Sequence, residues 1–148
     1  MKTFKYKIPR GNHRPAPAYN AQTPGKDEQL SGIVLGLAAS DIEERFARAL
    51  DRDNRVTGYS FRVPVITGRN LPGQLEVDYV IQTGPVLYLV QIDGEFSHKG
   101  QSKRQEDAIK DAIINEFYAK YGASPVQRID GQLLSTQQEA NNLVKDML

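Results

Sequence analysis

The stretch that most constrains this chain runs over residues 86–98. It opens as Val86-Leu87-Tyr88-Leu89-Val90 and continues as Gln91-Ile92-Asp93-Gly94-Glu95-Phe96-Ser97-His98. A short apolar run bounded by turn residues reads as a buried strand. Its far end does not read as core. Gln91, Asp93 and His98 stand around a glycine, just before a long charged helix. Burying such groups without partners is costly, whereas gathering them at a strand end is a common way to build a metal-dependent site. The rest of the chain reads as scaffold and partners for that strand end.

The chain has 148 residues, which fits one domain. It contains no cysteine, which excludes disulfides, zinc–thiolate sites and thiol nucleophiles. Histidine occurs only as His13 and His98, so a multi-histidine zinc site is also excluded. A metal here would take oxygen ligands, which points to Mg²⁺ or Mn²⁺. No apolar run is long enough to span a bilayer, and no apolar region follows the basic N-terminus as a secretory signal requires. A cytoplasmic protein with no membrane partner is expected. No glycine-rich phosphate loop, Ser-His-Asp arrangement or dinucleotide fingerprint is present.

The net charge of +1 hides an asymmetry. Residues 1–26 carry Lys2, Lys5, Lys7, Arg10, Arg14 and Lys26 with no acid, so all 18 acidic residues lie beyond them. Residues 1–35, rich in Pro and Gly, read as a basic arm; residues 36–148 read as the folded domain. A basic arm on a mildly acidic body fits a polyanionic partner, and it fits a solubilising tail equally well.

Within the body, residues 40–52 carry the start signals of a helix. Ser40 is the N-cap and Glu43, three positions on, completes a capping box. Phe46, Ala47 and Leu50, with Ile42, form the expected buried face. Glu43 shares that face, whereas Glu44 groups with Arg48 on the outer one. Residues 56–65, 75–81 and 86–92 read as three consecutive strands, the first restricted to an edge by Pro64. Residues 101–121 form the longest helix, in which Ala108, Ile109, Ala112, Ile113, Glu116 and Phe117 recur at helical spacing. Asp107 and Asp111, one turn apart, read as an outer face with Lys110. Residues 126–129 form a fourth strand, and residues 136–148 a closing helix. The expected order is α-β-β-β-α-β-α, a mixed sheet flanked by helices.

Asp78 lies inside an apolar strand, Val77-Asp78-Tyr79-Val80-Ile81, and so needs a metal, a basic partner or strong hydrogen bonds. Strand alternation puts Gln91 and Asp93 on one face. If the two strands pair, Asp78 comes beside both. With the Ile92 carbonyl they offer an oxygen cluster for a hard divalent cation. The competing expectation is that Asp78 and Asp93 pair with Arg or Lys and simply end strands.

The sequence Ser40-x-x-Glu43…Ala49-Leu50, then Val77-Asp78-Tyr79-Val80-Ile81, then Gln91-x-Asp93-Gly94-x-x-x-His98, then Asp107-x-x-Lys110-Asp111, resembles the PD-(D/E)XK nuclease superfamily. It looks closest to the very-short-patch-repair-like endonucleases and their phage and bacterial relatives. The resemblance covers residues 36–148 and rests on the order and spacing of the motifs together. It implies a restriction-endonuclease-like α/β fold and Mg²⁺-dependent hydrolysis of a DNA phosphodiester, by nicking or by a structure- or sequence-selective cut. It makes Asp78 the main metal ligand, joined by Asp93 and Ile92. His98 becomes a proton carrier, and Glu43 reaches the metal through water. Gln91 stands where the family has Glu, and Asp93 where the superfamily has its Lys. Lys99, Lys103 and Arg104 are then the nearest cations for a phosphate, with Arg69 and the arm residues Arg10 and Arg14 as further DNA contacts. The two departures also support another expectation: a weak or inactive nuclease-fold protein that binds DNA or serves in a phage assembly. A nicking enzyme works as a monomer, a palindromic double-strand cutter as a homodimer.

Overall fold

The computed structural model describes residues 27–66, 75–94 and 101–148. Its centre is a four-stranded mixed sheet in the order β3-β4-β5-β6, formed by Gly58–Pro64, Glu76–Thr83, Val86–Asp93 and Gln127–Asp130. The first three strands are antiparallel, and β6 joins β5 in parallel with Gln91 opposite Arg128 and Asp93 opposite Asp130. Helices α1 (Asp41–Arg52) and α3 (Gln137–Met147) cover one face, and α2 (Gln101–Tyr118) covers the other. The main elements follow the expected sequence. A small hairpin, β1 (Ile33–Val34) and β2 (Leu37–Ala38), precedes them. Its two-residue turn puts Leu35 and Gly36 at φ 48° and 81°, the left-handed pair that matches strand twist. Among the described residues no helix is long and apolar enough to cross a membrane.

Helix α1 starts where its capping box predicts. The Ser40 amide donates to Glu43 Oε1 at 2.8 Å, and the Glu43 amide donates back to Ser40 Oγ at 3.3 Å. Phe46 and Leu50 are fully buried, each contributing about 2 kcal/mol by removal of apolar surface from water. Around Tyr79 they join Tyr59, Phe61, Ile81 and Val90, with Ala140 and Val144 of α3 closing the cluster.

Two helix faces differ from expectation. Glu44 and Arg48 are not on an outer face; they are 3% and 8% exposed, beneath residues 28–32. Residues 27–35 therefore bind the body, and the domain boundary expected at residue 35 falls inside the hairpin turn. On α2 the buried positions are Asp107, Ile114 and Tyr118, followed by Tyr121, while Ile109 is 62% exposed. Asp111 lies on the same stripe, half-buried. The apolar residues of the first half, Ala108, Ile109 and Ala112, face solvent. Hydrophobic spacing holds in the second half, where Ile113 and Phe117 pack on the core, and fails in the first half because two inward positions there carry carboxylates, which a strand arginine satisfies.

Candidate functional site

The sheet is kinked where the polar residues lie. Tyr79 and Ile81 pack against α1, but Val77, also two positions from Tyr79, packs on the α2 side. Strand β3 makes the same switch between Phe61 and Val63. Between them Arg62 adopts φ 53°, and the β3–β4 register omits Arg62 and Asp78. The left-handed residue interrupts the ladder without shifting its register and turns the strand over.

On its other side β4 parts from β5. The backbone ladder ends at Tyr79 opposite Val90. Beyond it, side chains take over. Gln91 Oε1 accepts from the Asp78 amide at 2.9 Å, and Gln91 Nε2 donates to the Glu76 carbonyl at 2.8 Å. Asp78 Oδ2 accepts from the Ile92 amide at 2.7 Å. Gln91 is thus a splint holding the split strands, and the Ile92 amide, rather than its carbonyl, makes the described contact with Asp78. This explains why glutamine stands there. Gln91→Glu would set a carboxylate oxygen against the Glu76 carbonyl. It is expected to destabilise the fold by about 2–3 kcal/mol at neutral pH, and to lose much of that penalty once acid protonates the new side chain. Urea unfolding at pH 7 and pH 4 checks both the cost and its sign.

Asp78 is half-buried at this split, and its carboxyl is pushed up to about 6. Burial is the main cause, reinforced by the nearby Glu43 and Glu76 carboxylates; the Ile92 amide and Arg128 act in the opposite direction. Glu43 is held there by Tyr79, whose hydroxyl donates to the Glu43 carbonyl at 2.7 Å. The neighbour of Asp78 in sequence thereby fixes the start of α1 over the split. Glu43 caps the helix, and its carboxylate lies near enough to Asp78 to raise that carboxyl's pKa.

Asp93 belongs to a different group. Its Oδ1 takes Arg128 Nη1 at 2.8 Å, and Arg128 also pairs with Asp111 at 2.7 Å. The expected Asp78–Gln91–Asp93 oxygen cluster is therefore corrected: Gln91 is engaged by backbone, and Asp93 is paired with Arg128. The parallel register brings Arg128 level with Gln91, so its side chain reaches the end of β5. Gly131 keeps that end compact, since a Cβ there would lie 2.7 Å from the Asp93 carbonyl oxygen. Among the described residues no group of three or more His, Cys, Asp or Glu is arranged to hold a metal ion.

Of the predicted nucleic-acid contacts, Lys103 and Arg104 lie on the exposed start of α2, with Lys103 Nζ 3.6 Å from Asp107. His98, Lys99, Arg69, Arg10 and Arg14 lie outside the described residues. Arg128 is the residue that sequence reasoning missed. Its signal was indirect: Asp111 has no basic residue three or four positions away on α2. Comparison of the chain with protein-family models, curated proteins and solved structures found no match.

Proposed function

We propose that the protein is a metal-dependent nuclease acting on DNA, with Asp78 as the carboxylate that anchors the ion. The observation that carries this reading is the state of Asp78. It is a half-buried acid at a sheet split, its pKa raised to about 6 by burial and, secondarily, by two further carboxylates. A cation is the charge that such a group lacks. Asp78, Glu43 and Glu76 offer the donor type and charge that a hard divalent ion takes, and the ion itself would have to gather them, since the three do not form a preformed ligand group. Gln91 and Asp93 fit less well, because the sheet and Arg128 already hold them. Bound there, Mg²⁺ or Mn²⁺ would polarise a phosphodiester and lower the pKa of a coordinated water. Lys103 and Arg104 would draw the nucleic-acid backbone toward the split, and His98 would carry a proton.

Gln91 and Asp93 favour a second reading, in which the same surface binds DNA without cutting it or serves a larger assembly. Supercoiled plasmid incubated with Mg²⁺ or Mn²⁺ separates the two. Under the first reading the plasmid is nicked, Asp78→Ala abolishes nicking, and the metal concentration needed for nicking rises as pH drops below about 6, where a proton competes with the ion for Asp78. Tight DNA binding with intact plasmid in both metals would leave the second reading standing and end the first.

A further inference from the structure

Arg128 is shared by three carboxylates, one of which, Asp107, also lies 3.6 Å from Lys103 Nζ. Its Nε and Nη2 form a forked pair with Asp111 at 2.7 and 2.8 Å, and its Nη1 meets Asp93 at 2.8 Å. Asp107 Oδ2 lies 3.6 Å from the same Nη1. Two of these three acids occupy inward positions of α2, on the stripe that continues as Ile114 and Tyr118. Apolar residues at those positions would dock the helix at least as firmly. Instead the first half of α2 meets the sheet through carboxylates and turns Ala108, Ile109 and Ala112 to solvent. Its docking is therefore sensitive to competing ions. The Arg128 side chain is still 27% exposed, so a dissolved anion can reach it.

We propose that Arg128 is a phosphate-binding residue, and that Asp107 and Asp111 are stand-ins for a phosphodiester that a nucleic-acid strand displaces. The inference rests on the nucleic-acid reading above and adds to it a concealed contact and a moving part. A guanidinium takes carboxylate and phosphate oxygens with the same two-pronged geometry, so the exchange conserves its hydrogen bonds. A strand also brings several phosphates at once, which the carboxylates of one helix turn cannot match. Lys103 and Arg104, on the released end of α2, would follow the backbone. Recognition of this kind is independent of base sequence.

The test uses the full chain and four proteins: wild type, Asp107→Asn/Asp111→Asn, a charge-matched control Glu106→Gln/Asp146→Asn, and the first double variant with Arg128→Gln added. Glu106 and Asp146 are exposed and away from Arg128 in the described contacts. Binding of a fluorescein-labelled duplex and of a single strand is read by anisotropy. Unmasking the guanidinium is expected to tighten binding about tenfold or more beyond the control, and Arg128→Gln should remove that gain. Thermal shift with inorganic pyrophosphate runs in parallel. A pyrophosphate shift specific to the unmasked chain, with no DNA binding by any of the four, would keep the anion site and reject the nucleic-acid reading. DNA binding no tighter than the control, or a gain that survives Arg128→Gln, would overturn the inference and leave that reading intact. Response to neither anion would end both. Asp111→Asn alone carries the same expected sign if the double variant does not fold.

Discussion

Asp78→Asn is expected to stabilise the metal-free protein at pH 8 by about 3 kcal/mol and, under the nuclease reading, to abolish metal-dependent cleavage. The carboxyl stands at about 6 in the fold against an ordinary 3.8, and each unit of difference corresponds to about 1.4 kcal/mol. The direction of the linkage is set by that rise. A carboxyl with a raised folded pKa favours folding when protonated. Its contribution is complete below about 3.8 and is lost as pH rises through about 6. At pH 8 the ionised group therefore works against the fold. Asparagine keeps an oxygen for the Ile92 amide without the charge. Unfolding of both chains between pH 4 and pH 8 gives the check. Relative to the variant, the wild type should gain stability on acidification, and the two curves should converge near pH 4. A variant less stable than wild type at pH 8 would mean that the Asp78 charge is already compensated. Stability sacrificed at one buried acid is the usual signature of a group retained for chemistry or binding.

Glu44→Ala should produce the largest loss of stability, about 3–5 kcal/mol. Glu44 is 3% exposed and accepts four hydrogen bonds: from the Ser31 amide and hydroxyl, the Gly32 amide and Arg48. Its pKa is lowered; burial, the largest single influence, pushes upward, but the bonds from Ser31, Gly32 and Arg48 together outweigh it. Removing the carboxylate leaves Arg48, itself 8% exposed, with Glu28 at 3.3 Å as its remaining described partner. It also removes the anchor of Ser31 and Gly32 on α1. The sign with pH is opposite to that of Asp78. A lowered pKa gives stability that is present above about 4.5 and is lost as pH falls through the folded value. The penalty measured by urea unfolding should therefore be full at pH 7 and shrink toward pH 3. A cost under 1 kcal/mol at pH 7 would show that the buried network contributes no net stability.

Element identities were legible because each rested on local chemistry. Ser40 and Glu43 announced α1, and Asp78 stood out as an acid in an apolar strand. What failed were the pairings made across the fold. Glu44 and Arg48 look like an ordinary exposed pair one helical turn apart. Only the docking of residues 27–34 buries them. Gln91 looks like a weakened ligand, and only the parting of β4 from β5 makes it a splint. Asp93 and Asp111, eighteen positions apart in sequence, share a partner that the parallel register of β6 brings to them.

By itself the sequence determined the mixed α/β class, the order of the main elements, and the place where charge would be expensive. Those depend on caps, turns and periodicity, which act over a few residues. The tertiary structure decided which acids share that place. Charge acts through space, and the kink at Arg62 and Asp78, with β6 set beside β5, places Asp78 near Glu43 and Glu76 and gives Asp93 to Arg128.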